Sequence, residues 1–406
     1  MKFIILKFGG TSLVNNDLRG KVVSRVLETR EQGYVPLVVV SAIGRKGEPY
    51  ATDTLLSYAQ VEGQELSPRE SDLLMHCGEI ISGVIMVATL EKMGYPAVLL
   101  TGAQAGIITS AEHNNSKILK INPENIFKYV QDGKVVVVTG FQGVTEEGEI
   151  TTLGRGGSDT TAVALGVALN AERVDIYTDV EGIMTADPRI VTDARLLQMV
   201  TYNEICQLAR EGARVIHPRA VEIARQKNIP LRIRCTFGDA PGTLVIHERP
   251  HPGIDITRDR TVTGITHIQD ITQVRISTED VVNVPDFQKS IFQALAQAQI
   301  SIDFINVCPQ AVVFTIKNSV VAGVLQVLDS MGICAEIFPD CAKVAAVGAA
   351  MTGVPGVMAG IVAALAREKV QILQSADSYT TIWVLVRNED MEKSIRALHR
   401  QFGNEM

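Results

Sequence analysis

The strongest constraint on this chain is an alternation. A short aliphatic run is followed by a longer stretch of helical pattern, then by another short run. Phe3-Ile-Ile-Leu6, Leu37-Val-Val-Val40, Ala97-Val-Leu-Leu100, Val135-Val-Val-Val138 and Val174-Asp-Ile-Tyr177 are short and mostly aliphatic or β-branched. Runs apolar on both faces belong inside a parallel sheet covered by helices. Helical stretches such as Ser67 to Lys92 and Asp159 to Leu169 separate them. The alternation predicts a doubly wound α/β layer, whose ligands bind at the carboxyl ends of the strands.

The 406 residues suffice for two or three domains at roughly 150 residues each, and 46% hydrophobic with 20% charged residues suits packed cores. Lys plus Arg number 38 against 45 Asp plus Glu, a net charge of −7. No net positive field draws a nucleic acid or an anionic membrane, so the expected ligands are small molecules. Cys77, Cys206, Cys235, Cys308, Cys334 and Cys341 are scattered, without a C-x-x-C pair or a short metal spacing. They read as reduced thiols of a cytoplasmic protein. The apolar run Phe3 to Leu6 is cut off by Lys7, too early for a signal peptide. Val354 to Ala366, the most apolar later stretch, is broken by Pro355, Gly356 and Gly360 and is too short to span a bilayer.

Prolines, a glycine and charges between Glu248 and Arg260 mark a boundary. Beyond it the chain repeats itself at an offset of 70. Val284-Pro285 matches Val354-Pro355, Ala294-Leu-Ala296 matches Ala364-Leu-Ala366, and Ile302 matches Ile372. Each copy reads as a ferredoxin-like βαββαβ unit. The expected division is residues 1–248 as the large α/β domain, 249–263 as a linker, and 264–340 and 341–406 as the two small units.

Three segments carry chemistry. Lys7-Phe8-Gly9-Gly10-Thr11-Ser12 follows the first strand. Its glycines let main-chain amides approach a phosphate, and its lysine can neutralise a transferring phosphoryl group. It is no Walker A loop, since G-x-x-x-x-G-K-[ST] occurs nowhere in the chain. Gly154-Arg-Gly-Gly-Ser-Asp159 opens a helix, where amides and dipole favour anions. There Arg155 offers a bidentate grip on a carboxylate, Asp159 can organise charge, and Ser158 could equally be a plain helix cap. Thr178-Asp179 ends a strand and begins a run to Asp187-Pro188-Arg189, which alone reads as a turn with a solvated arginine.

Taken together, these motifs resemble the aspartate kinases of the amino-acid-kinase family. K-F-G-G-T-S is intact at Lys7 to Ser12, G-R-G-G-S-D at Gly154 to Asp159, and T-D-V-x-G-[IV]-x-T-x-D-P-R at Thr178 to Arg189. Gly212 to Pro218 looks like G-A-K-V-[LI]-H-P, with Arg214 in place of the usual lysine. The duplicated tail is similar to paired ACT domains, and the length suits the short monofunctional branch, which includes diaminopimelate-sensitive forms.

The resemblance implies transfer of the γ-phosphoryl of MgATP to the β-carboxylate of L-aspartate. A carboxylate nucleophile is already ionised, so positioning and charge stabilisation suffice. By motif match Lys7 and Asp159 would be catalytic. Ser41, Thr52, Glu79, Arg155 and Ser158 would bind aspartate. Lys7, Phe8, Gly9, Gly10, Thr178, Asp179, Met184, Arg189 and Arg214 would bind ATP, with Tyr177 nearby. His217 is read as a helix-start residue. Asp286, Asn306, Gln310, Pro355 and Gly356, with Ser378 nearby, are the candidate effector contacts. The effector would be lysine, threonine or meso-diaminopimelate, and the ACT units imply a homo-oligomer. Rival readings are a sister kinase acting on glutamate, acetylglutamate or a nucleotide, and a silent amino-acid sensor.

Overall fold

The computed structural model describes residues 1–59, 66–213, 215–247, 261–348, 351 and 354–403. The chain forms two compact units. The first holds β1 (Phe3–Phe8), α1 (Asn16–Glu31), β2 (Val35–Val40), α2 (Thr52–Ala59), α3 (Pro68–Lys92), β3 (Ala97–Leu100), β4 (Ile107–Thr109), β5 (Ile118–Ile121) and α4 (Glu124–Gln131). It continues through β6 (Val135–Thr139), β7 (Gln142–Val144), β8 (Ile150–Thr152), α5 (Gly157–Ala168), β9 (Arg173–Thr178), β10 (Met199–Thr201), α6 (Tyr202–Arg210), α7 (Pro218–Lys227), β11 (Leu231–Cys235) and β12 (Thr243–Ile246).

Eight strands form its main sheet in the order β10-β12-β11-β9-β1-β2-β6-β3. The pairs β9-β1, β1-β2, β2-β6 and β6-β3 are parallel, and β11-β12 is antiparallel. The aliphatic runs are buried as their composition demands: Ile4, Leu6, Val38, Val40, Val136 and Val138 are fully inaccessible. Since β1, β2, β6 and β9 run the same way, their carboxyl ends share one edge, with β1 central. Helix α3 begins where a capping box predicts, the Ser67 hydroxyl accepting from the Glu70 amide. Among the described residues α3 is the one helix long and apolar enough to cross a membrane. Its Asp72 and Glu79 are buried, and it lies against β3, β6 and β8, as a core helix does.

The second unit holds β13 (Gly264–Ser277), α8 (Val284–Gln297), β14 (Asp303–Cys308), β15 (Ala311–Lys317), α9 (Val321–Ser330), β16 (Glu336–Val347), α10 (Val357–Arg367), β17 (Gln374–Ser378), β18 (Thr381–Arg387) and α11 (Met391–Phe402). One antiparallel sheet runs β14-β15-β13-β16-β18-β17. The duplication is visible in its register: Ser277 faces Ala311 as Val347 faces Thr381. Likewise Thr278 N–H donates to Gln310 O, and Gly348 N–H to Thr380 O.

The structure departs from the expected division in three respects. The stretch 341–406 holds no closing strand after α11 among the described residues. Its fourth strand is the leading half of β13, Gly264–Ile268 paired with Lys343–Val347, so the two copies interleave. Two excursions of the larger domain, Thr185–Ala194 and Glu211–Ala213, belong to the second unit. The expected linker lies outside the described residues except for 261–263, where Val262 is a core residue of the second unit. On α8, Ile291 and Leu295 are buried and Phe292 is half-buried, while Ala298, which caps the helix, is exposed.

Candidate active site

Lys7 stands near the carboxyl end of β1, and its Nζ lies 2.6 Å from Asp159 Oδ1 in the first turn of α5. Both side chains are about seven-eighths buried, at 13% and 12% exposure. The pair exists because α5 lies across β1 with its amino-terminal end at the functional edge. Gly156, the residue capping α5, has φ +72°, and a Cβ there would sit 2.2 Å from the ring of His217. A left-handed, crowded position of this kind needs glycine. His217 caps α7, its Nδ1 accepting from the Arg219 amide. Its pKa is depressed chiefly by burial, with Asp159 opposing and Arg219 and Arg155 adding to the effect. The helix-start reading of His217 fits this geometry.

Arg155 is exposed and makes no hydrogen bond or ion pair among the described residues, so its guanidinium is available. Ser158 lies inside the first turn of α5 rather than at its cap, against Gly140 at the end of β6. Gly157 has Phe141 as its neighbour, and the Phe141 amide donates to Thr161 Oγ1.

On the other side of β1, the loop after β2 closes over Gly10. A Cβ at Gly10 would meet Ala42 O at 2.2 Å and Gly44 O at 2.9 Å, both main-chain atoms. At Gly9 the nearest atom would be 3.9 Å away. Gly10→Ala is therefore expected to lose activity and about 2 kcal/mol of stability through overpacking, while Gly9→Ala stays folded. Thermal unfolding of the two variants checks this, and equal melting points would contradict it. Phe8 and Tyr177 are buried and stacked, with centroids 4.6 Å apart. Burial pushes the Tyr177 phenol up to about 12. Any contact these two residues make with a nucleotide would be through the main chain.

Glu79 is buried on α3 at 3% exposure. Its Oε1 accepts from the Ala42 amide at 3.0 Å, and its Oε2 has no hydrogen-bond partner among the described residues. Burial pushes its carboxyl up to about 8, against the opposing amide bond. The neighbouring Ser82 donates to Ser41 O at 2.6 Å, which fixes the end of β2 against α3. Thr52 opens α2 beyond this loop. Thr178 ends β9 and Asp179 follows, with Asp179 Oδ2 2.5 Å from the exposed Arg45 guanidinium. Met184 also lies in the first unit, while Arg189 lies in the second and Arg214 lies outside the described residues.

The structure brings further residues to this edge. Thr236, at the end of β11, hydrogen-bonds Ser12 Oγ at 2.8 Å and donates its amide to Thr178 O. Asp72 accepts from His113, the Asn114 amide and Thr152, anchoring the loop on which Gly154 rests. Asp72 stands two helical turns before Glu79, and that spacing is the signal in the sequence that could have found it.

Among the effector candidates, Asp286 is exposed in the first turn of α8, joined to the Asn283 side chain at 2.6 Å. Gln310 lies in the β14–β15 turn, its carbonyl tied to Thr278. Asn306 is exposed on the edge strand β14, Ser378 ends β17, and Pro355-Gly356 precedes α10.

Residues 2–235 match the profile of the amino acid kinase family, and residues 336–400 match an ACT domain. The chain is 48% identical over 403 residues to aspartokinase 1 of Bacillus subtilis, covering 99% of each protein. It is 38% identical to an aspartokinase of Mycobacterium tuberculosis, with 99% and 96% covered. Among solved structures, aspartokinase III of E. coli in complex with aspartate and ADP matches with a TM-score of 0.77. It is 25% identical, with 98% of this chain and 99% of that one covered.

Proposed function

We propose, from the premise that this chain belongs to the aspartokinases of the amino acid kinase family, that it moves the γ-phosphoryl of MgATP onto the β-carboxylate of L-aspartate. The product is 4-phospho-L-aspartate, the first intermediate towards lysine or diaminopimelate, threonine and methionine. The support for this reading is the Lys7–Asp159 pair where β1 meets α5. It sets one ammonium group at the sheet edge where charge on a transferring phosphoryl group needs stabilising.

The chain's own groups then divide the work. The Gly9 and Gly10 segment offers amides to the phosphates, and Asp159 holds Lys7 in place. Arg155 takes the α-carboxylate of aspartate, and the open Oε2 of Glu79 takes its ammonium group. Ser41, Thr52 and Ser158 complete the aspartate pocket. Thr178, Asp179, Met184, Arg189 and Arg214 serve the nucleotide. Mg2+, when bound with ATP, neutralises phosphate charge. No general base is needed, because the attacking oxygen is already anionic.

The paired ACT copies would bind an amino-acid effector near Asp286, Asn306, Gln310, Pro355 and Gly356, and join protomers into a homo-oligomer of the cytoplasm. Lysine, threonine and meso-diaminopimelate are the candidates.

Arg155→Lys is expected to raise the aspartate KM about tenfold with kcat retained, because an ammonium group cannot make the two-pronged contact. An unchanged aspartate KM would reassign Arg155. ADP release from the full chain, assayed with aspartate, glutamate and acetylglutamate and with each effector, tests the function. Aspartate-dependent release lowered by one effector supports it. Release with glutamate or acetylglutamate alone identifies a sister kinase, and no release at all a sensor.

A further inference from the structure

Within the catalytic unit, one buried side chain gathers segments that lie far apart in the chain. Asp72, near the start of α3, is fully inaccessible. Its Oδ1 accepts the Thr152 hydroxyl at 2.5 Å and its Oδ2 accepts His113 Nδ1 at 2.8 Å, while the Asn114 amide reaches both oxygens at 3.1 Å. A carboxylate answers all three, because it offers acceptors and no donor.

What these bonds hold is the base of the Arg155 loop. Thr152 ends β8, and its carbonyl accepts the Ser116 amide and the Ser116 hydroxyl, both at 2.9 Å. Arg219 closes the same junction, donating to Leu153 O at 2.7 Å and to Ser116 O at 2.9 Å. Gly154 then turns at φ +73°, so near this loop that a Cβ would meet Asn114 O at 2.9 Å. Arg155 comes next, exposed and with no bond of its own among the described residues. The direction of its guanidinium is therefore set by the main chain behind it. Helix α3 thus carries Glu79 directly and holds the Arg155 main chain through Asp72, seven residues earlier.

We propose that Asp72 is a positioning residue for aspartate. Through Thr152 and the 113–116 loop it fixes the main chain from which Arg155 reaches the α-carboxylate, so α3 sets the spacing between the two clamps on the substrate. This rests on the aspartate readings of Arg155 and Glu79 given above. Every residue in this set of contacts lies in the catalytic unit. The nucleotide candidates Lys7 and Asp179 are held by other partners, Asp159 and Arg45.

The test is steady-state kinetics of the full-length enzyme and its Asp72→Asn, His113→Ala, His113→Asn and Arg155→Ala variants. Asp72→Asn keeps the shape but sets an amide donor against a donor. It raises the aspartate KM about tenfold, the scale of one buried hydrogen bond, and leaves kcat and the ATP KM within twofold. His113→Ala shows the same pattern at about threefold, since the Asn114 and Thr152 bonds remain. His113→Asn, which keeps a nitrogen donor on Cγ, restores the affinity. Arg155→Ala also raises the aspartate KM, and adding Asp72→Asn to it raises that value no more than about twofold further. Should Asp72→Asn fail to fold, the two His113 variants carry the test. An aspartate KM unchanged in Asp72→Asn and His113→Ala overturns the proposal. So do kcat and both KM values moving together, or full multiplication of the two effects in the double variant, which mark a merely structural role. An aspartate KM unmoved by Arg155→Ala in an active enzyme removes the clamp, and the proposal with it. Wild-type enzyme without aspartate-dependent ADP release overturns the kinase reading first.

Discussion

Lys7→Ala is expected to lower kcat by about 10²–10³-fold, the usual cost of removing one preorganised charge from a developing anionic transition state. The ammonium sits 2.6 Å from Asp159 Oδ1 at the edge where β1 meets α5. Alanine removes both the stabilising charge and the partner of a largely buried carboxylate. The second loss means the melting temperature falls as well, because an unpaired buried charge is costly. Thermal unfolding measured beside turnover separates the two effects. Lys7→Arg keeps the charge but spreads it over a planar group, so it recovers stability more than rate. A folded Lys7→Ala enzyme within tenfold of wild-type kcat would remove Lys7 from the mechanism.

The second large effect is a pH dependence set by Glu79. Burial holds its carboxyl up to about 8 in the ligand-free protein, whereas the ammonium group of aspartate needs the ionised form. Below that value aspartate binding must drive off a proton. The kcat/KM for aspartate therefore rises about tenfold per pH unit from pH 6 to 7 and levels off above about 8. Glu79→Gln is expected to flatten this profile and to lower kcat/KM at high pH by about 10–100-fold, the loss of one charge-assisted hydrogen bond.

Stability moves the opposite way. The native state keeps its proton on Glu79 where the unfolded chain has lost it. The ligand-free protein is therefore destabilised as pH rises from the ordinary glutamate range to about 8, and Glu79→Gln removes that slope. A wild-type kcat/KM profile flat between pH 6 and 8 would contradict the assignment of Glu79 to the substrate ammonium.

The sequence reveals features whose cause is local. Leu37 to Val40 can only be a strand buried on both faces, and Lys7 and Gly154 to Asp159 stand out because glycines follow a strand or open a helix at the functional edge. Glu79 is different. Within a mostly apolar helix, nothing local separates a surface glutamate from one facing a site, and only resemblance to the family selected it. The pairing of Gly264–Ile268 with Lys343–Val347 joins segments far apart in the chain, which no local pattern encodes. The same holds for Asp72 and Thr152, which meet only because α3 lies against β8. Ser158 was open to reading as a cap because serine favours that position, yet the left-handed Gly156 takes it.

The most direct test of the central claim is hydroxylamine trapping with MgATP and L-aspartate. Aspartyl hydroxamate is expected to form in step with ADP, because an acyl phosphate at the β-carboxylate is intercepted by the amine. ADP release without hydroxamate, or hydroxamate from glutamate or acetylglutamate but not from aspartate, would contradict it.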